Sequence, residues 1–135
     1  MINRVAAARI YEARRRVFEE AERDGRQMAI AVADEAAQLV YGERMEDCAA
    51  RVLTHAIRKA YTAATMRRDT LVFRQENIER EKSLDDWGDP RLTQLQGGLV
   101  IRIGDEWYGG VAVGGHDFAR DEELARLALD ILISR

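Results

Sequence analysis

Residues 47–66 contain neither proline nor glycine, and on a helical wheel Ala49, Val52, Leu53, Ala56, Ile57, Ala60, Ala63 and Ala64 form one broad stripe. Most of that stripe is alanine. A face with so little apolar bulk is worth burying only where a sheet or another helix approaches it closely. The chain must therefore supply a neighbour whose own surface is shallow.

Two hairpins are the candidates for that neighbour. Residues 98–103 and 106–113 are apolar and β-rich and are joined by Gly104-Asp105, a two-residue turn signal. Residues 27–34 and 38–44 flank Asp34-Glu35-Ala36-Ala37, and Ile30, Val32, Val40 and Tyr41 favour strands there. Two more helices are expected. One spans 3–23, with Ala6, Ile10, Ala13, Val17 and Ala21 inward, Asn3 as cap and Asp24-Gly25 as stop. The other spans 118–133, with Leu124, Leu127, Ala128, Ile131 and Leu132 inward and Asp117 as cap. Residues 67–96 carry the weakest pattern: a short helix capped by Thr70 and ending near 81, then a loop, 85–90, that bears Trp87. Trp87 is read either as an anchor for a partner or as a ring folded back on its own domain. The order of elements spells an α/β (α+β) fold with an antiparallel sheet of four or five strands.

At 135 residues the chain is expected to form one domain, 1–135, on a single core. Hydrophobic residues at 47% and charged residues at 33% exclude disorder, and a net charge of −3 argues against nucleic acid as a partner. Arg14-Arg15-Arg16 is followed within a turn by acidic residues and reads as a solvated helix face. A lone cysteine, Cys48, excludes an internal disulfide and a cysteine-rich zinc site. No run is apolar enough for a membrane span or a signal peptide, so no membrane partner is expected and the expected compartment is cytoplasmic.

Two constellations can carry chemistry. His55, Lys59, Thr62 and Met66 are spaced along one edge of the alanine-rich helix. They read either as a receptor for an anionic ligand or as a solvated boundary strip in which Lys59 snorkels. Gly114-Gly115-His116-Asp117 lies where a strand hands over to a helix. There, close backbone approach and a helix N-terminus suit a carboxylate or phosphate, with His116 as a general base, a metal ligand or a plain cap. Gly97-Gly98 repeats the motif in a weaker form. Phosphate-binding glycine loops, HExxH and GxSxG are absent.

The order of several short pieces resembles a known family. They are Ala31-Val32-Ala33-Asp34, Glu43-Arg44-Met45-Glu46-Asp47, Ala56-Ile57-Arg58-Lys59-Ala60-Tyr61-Thr62-Ala63-Ala64 and Gly97-Gly98-Leu99. Tyr108-Gly109-Gly110-Val111-Ala112-Val113-Gly114-Gly115 and Asp121-Glu122-Glu123-Leu124-Ala125 complete the set. Over nearly its full length the chain resembles the GlcG/HbpS-like haem-binding proteins, a domain also found at the C-terminus of some corrinoid adenosyltransferases. The resemblance implies a profilin-like fold with a five-stranded antiparallel sheet flanked by helices, assembly into homo-oligomers, and ligand crevices near subunit contacts. The chain departs from the family at Glu35-Ala36, at Val100 and at His116-Asp117-Phe118, the last bordering the implied pocket.

Two readings follow. In the first, the chain is an oligomeric binding protein for haem or another anionic cyclic ligand. Arg44, Lys59 or the Gly114-Gly115 amides would meet carboxylates, and His116 would ligate iron. In the second, it is a cofactor-independent enzyme on a small organic acid or aromatic substrate. His116 would then move a proton, and Gly97, Gly98, Gly114 and Gly115 would hold an oxyanion.

Overall fold

The computed structural model describes residues 6–134. In chain order these form α1 (Ala7–Arg23), β1 (Ala29–Ala33), β2 (Leu39–Arg44), α2 (Ala50–Met66) and α3 (Thr70–Glu79). A 3-10 turn (Leu84–Trp87), β3 (Gly98–Ile103), β4 (Glu106–Gly114) and α4 (Phe118–Leu132) follow. The strands pair antiparallel in the order β2-β1-β4-β3. The sheet thus has four strands among the described residues, not the five that the family resemblance implied. Segment 67–96 adds a helix and a 3-10 turn instead, consistent with its lack of any β-branched run.

The register divides the sheet into two unlike faces. Ala31 sits opposite Ala112, and Ala112 opposite Gly98, so Ala29, Ala31, Ala33, Gly98, Gly110, Ala112 and Gly114 share one face. Ile30, Val32, Leu99, Ile101, Val111 and Val113 share the other. The small face receives α2, whose Ala56 and Ala60 are fully buried in the core it forms with the sheet. A Cβ on Gly98 would stand 2.6 Å from the Lys59 carbonyl oxygen, so helix and strand backbones touch across positions that have no room for a side chain. This is the close approach that the alanine stripe demanded. The large face is covered by α1 and α4, which pack on each other, and Val17, Ala21, Leu124 and Ala128 are buried in the core they share with the sheet. Each buried Val, Leu or Ile there contributes about 1.5–3 kcal/mol.

Several expected boundaries move for physical reasons. The expected cap Asn3 lies outside the described residues, and Ala6 occupies the N-cap position of α1 without a side-chain bond. The start of α2 shifts from 47 to Ala50 because Met45 bonds back to Met28 and Cys48 closes a turn on Met45. Thr70 does not cap α3: its hydroxyl accepts from the Gly98 amide at 3.0 Å, while Asp69, in the N-cap position, accepts from Val100 at 2.9 Å. Both side chains bind the helix start to β3. Asp117 caps α4 as expected, accepting from the Arg120 amide at 2.9 Å. Trp87 folds back on its own domain, donating to Asn77 at 3.1 Å beside the Phe73 ring.

Candidate functional site

Lys59 organises the end of the sheet. Its side chain is 2% exposed, and Nζ donates to the Val113 carbonyl at 2.9 Å and to Asp121 Oδ2 at 3.2 Å. Asp121, equally buried on the first turn of α4, accepts the His116 amide on its other oxygen at 2.9 Å. The ammonium passes beneath Gly97, where a Cβ would lie 2.8 Å from Nζ and φ is +120°. Burial pulls the Lys59 ammonium down and the Asp121 carboxyl up, and each partner's charge opposes that drift. The pair fastens a helix on one face of the sheet to a helix on the other.

The reading of Lys59 as a snorkelling or freely available cation is therefore corrected. Thr62, also fully buried, is no boundary residue either: its hydroxyl accepts from the Thr93 amide at 3.0 Å. The anion expected at the start of α4 is supplied by the chain itself. Asp121 takes the His116 amide, His116 Nδ1 takes the Asp117 amide at 2.8 Å, and Asp117 takes that of Arg120. Gly115, with φ +116°, allows β4 to pass Gln27, whose carbonyl oxygen would lie 2.7 Å from an added Cβ. Gly97, Gly98 and Gly115 thus serve close backbone packing, whereas Gly114 has ordinary space and faces a cavity.

That cavity, about 250 Å³, lies between the first half of α2 and the turn into α4. Val52, Leu95 and Phe118 give it apolar walls, Arg51 and His55 stand at it from α2, and Lys59, Gly114, Gly115, His116 and Asp121 complete it. His55 and Lys59 do share it with the Gly114-Gly115 turn. The two imidazoles differ. The Asp117 amide donates to His116 Nδ1, which leaves the ring proton on Nε2, 3.4 Å from Asp24 Oδ2. Both His116 nitrogens are thereby engaged. His55 is exposed and makes no hydrogen bond within the described residues, and Arg51 likewise has no carboxylate partner there.

Arg44 lies elsewhere. It lines a separate, open depression of about 580 Å³ between α1 and the end of β2, and its guanidinium donates to the Cys48 carbonyl. Sequence reasoning missed Arg51, Leu95 and Phe118 as cavity residues. Arg51 was recoverable from its position one turn before His55 on the same helix edge. Among the described residues no three His, Cys, Asp or Glu side chains converge to hold a bare metal ion, and no helix is long and apolar enough to cross a membrane.

Comparison with known proteins places this geometry. Residues 3–130 match the family model of the haem-degrading HbpS-like proteins. The chain belongs to the HbpS-like family. Protein GlcG of Escherichia coli strain K12 is 34% identical over 95 residues, which are 70% of this chain and 69% of GlcG. A double mutant of Streptomyces reticuli HbpS superposes with a TM-score of 0.86 at 24% identity, covering 100% of this chain and 90% of that one. The PduOC:haem complex superposes at 0.84 and 17% identity, covering 96% and 95%. At these identities the two crystal structures establish the shared fold of this HbpS-like chain.

Proposed function

We propose that the chain binds haem in the cavity between α2 and the start of α4, and that it does so as a homo-oligomer. The observation that carries this reading is the free imidazole of His55 beside Arg51, on a cavity walled by Val52, Leu95 and Phe118. The donor set fits the group: an imidazole suits haem iron, a guanidinium suits a propionate carboxylate, and the apolar walls suit a macrocycle edge. Membership of the HbpS-like family supports it, as does the similar fold of PduOC, whose structure is a haem complex.

In this proposal His55 is the iron ligand in preference to His116, whose two nitrogens are occupied. His116 holds the start of α4 against Asp24, and the Lys59–Asp121 pair fixes the cavity floor. Bound haem would supply a redox-active iron centre. A cavity of about 250 Å³ covers only part of a macrocycle, and Phe118 at its rim is 47% exposed. A second copy closing over Phe118 would bury the rest, which is the reason for proposing a homo-oligomer. The rival reading, with His116 as general acid and base, has less support because Nδ1 already accepts a backbone proton.

Native mass spectrometry of the chain mixed with haemin tests the proposal. The expected species is a multimer of the 15.3 kDa chain carrying haem. A haem-free monomer at every ratio would overturn it.

A further inference from the structure

The chain uses nineteen arginines and two lysines, Lys59 and Lys82. One of the two is buried at the floor of a cavity. A guanidinium also suits a carboxylate, but unlike an amine it is not a nucleophile. Lys59 Nζ carries three hydrogens as an ammonium, and two of them meet Val113 and Asp121; the third has no oxygen or nitrogen acceptor among the described residues, and the Phe118 ring lies 5.9 Å from Nζ. Gly114, which bares this part of the cavity wall, would place even an added Cβ 3.6 Å from Nζ. Arg51 and His55, neither with a carboxylate partner among the described residues, stand on the same cavity two turns and one turn earlier on α2.

We propose that Lys59 forms a reversible imine with a small aldehyde or 2-oxo acid whose carboxylate is held by Arg51 and His55. This activity goes beyond haem binding and does not depend on it. The neutral amine adds to the carbonyl carbon and gives a carbinolamine. Asp121, as the carboxylic acid, protonates the carbinolamine hydroxyl, and water leaves as the C=N bond forms. The remaining nitrogen proton returns to the Asp121 carboxylate. One water is released for each imine formed, and no oxidant or reductant takes part. Burial shifts Lys59 toward the amine and Asp121 toward the acid, the directions that these steps need, while each partner's charge opposes the shift.

The test is reductive trapping on the intact chain. Succinic semialdehyde, which bears a carboxylate, and butanal, which does not, are each incubated with the protein and sodium cyanoborohydride, and adducts are mapped by peptide mass spectrometry. Exposed Lys82, which lies over the Trp87 ring, is the internal reference. The expected result is semialdehyde adduct on Lys59 about tenfold or more above Lys82. Arg51→Ala should remove that preference for the semialdehyde. Adduct on Lys82 with Lys59 unmodified would overturn the proposal. So would a Lys59 yield that is the same for both aldehydes and insensitive to Arg51→Ala. Haemin binding by the same sample reports separately on the haem reading.

Discussion

Lys59 and Asp121 belong to helices on opposite faces of the sheet, yet they meet past its end with Nζ 3.2 Å from Oδ2 and both side chains 2% exposed. The contact is possible because Gly97 and Gly114 leave the sheet edge bare where the ammonium passes. One pair thus joins the two layers, sets the start of α4 through the His116 amide, and forms the floor of the cavity.

Breaking that pair from one side leaves a buried charge uncompensated. Asp121→Ala is expected to lower stability by about 3–5 kcal/mol in urea denaturation. Replacing both partners, as in Lys59→Met with Asp121→Leu, removes the charge problem and should recover most of the loss. A double variant as unstable as the single one would show that the pair acts through something other than charge burial.

The glycines divide by the space behind them. A Cβ on Gly110 would collide with the Ala60 carbonyl, so Gly110→Ala should cost about 3 kcal/mol or more by forcing α2 off the sheet. Gly115→Val meets Gln27 and Met28 in the same way and is expected to unfold the domain rather than merely plug a ligand site. Gly114→Ala has its nearest contact at 3.4 Å, from Val52, and should stay within about 1 kcal/mol of the parent while weakening haemin binding. Thermal melts and haemin titrations on the three variants check both halves of this division.

A second ion pair gives a pH signature. Arg14 on α1 donates to both oxygens of Glu43 on β2, at 3.1 and 2.8 Å, and holds that carboxyl below the usual range. A carboxyl depressed by folding stabilises the protein above its unfolded value, and that contribution disappears as pH falls through the folded value. Glu43→Gln should therefore flatten the acid limb of the stability curve. Burial, together with Glu43, pushes the neighbouring Tyr41 phenol up to about 12, so a tyrosinate absorbance step near 12 should vanish in Tyr41→Phe. An unchanged alkaline titration in that variant would contradict the assignment.

Much of this architecture was legible because local pattern decided it. Periodicity located α1, α2 and α4, the Gly104-Asp105 turn located the second hairpin, and the alanine stripe required a close neighbour that the Ala and Gly face of the sheet supplies. The site was less legible, because its chemistry depends on distant partners. A wheel puts Lys59 on the flank of α2, and only the fold brings Asp121, far along the chain, to meet it. The same holds for 67–96, where Asn77 is buried because Trp87 folds onto it, a contact that no local periodicity encodes. In sequence His116 stayed open between a general base, a metal ligand and a plain cap, because neither Asp24 nor the Asp117 amide could be placed against its ring.

The most direct test of the account is a haemin titration followed in the Soret region for the parent chain, His55→Ala and His116→Ala. The parent should give a sharp, saturable band. His55→Ala should abolish or shift it, and His116→Ala should leave its position unchanged. No saturable band in the parent, or a band lost in His116→Ala and intact in His55→Ala, would contradict the site.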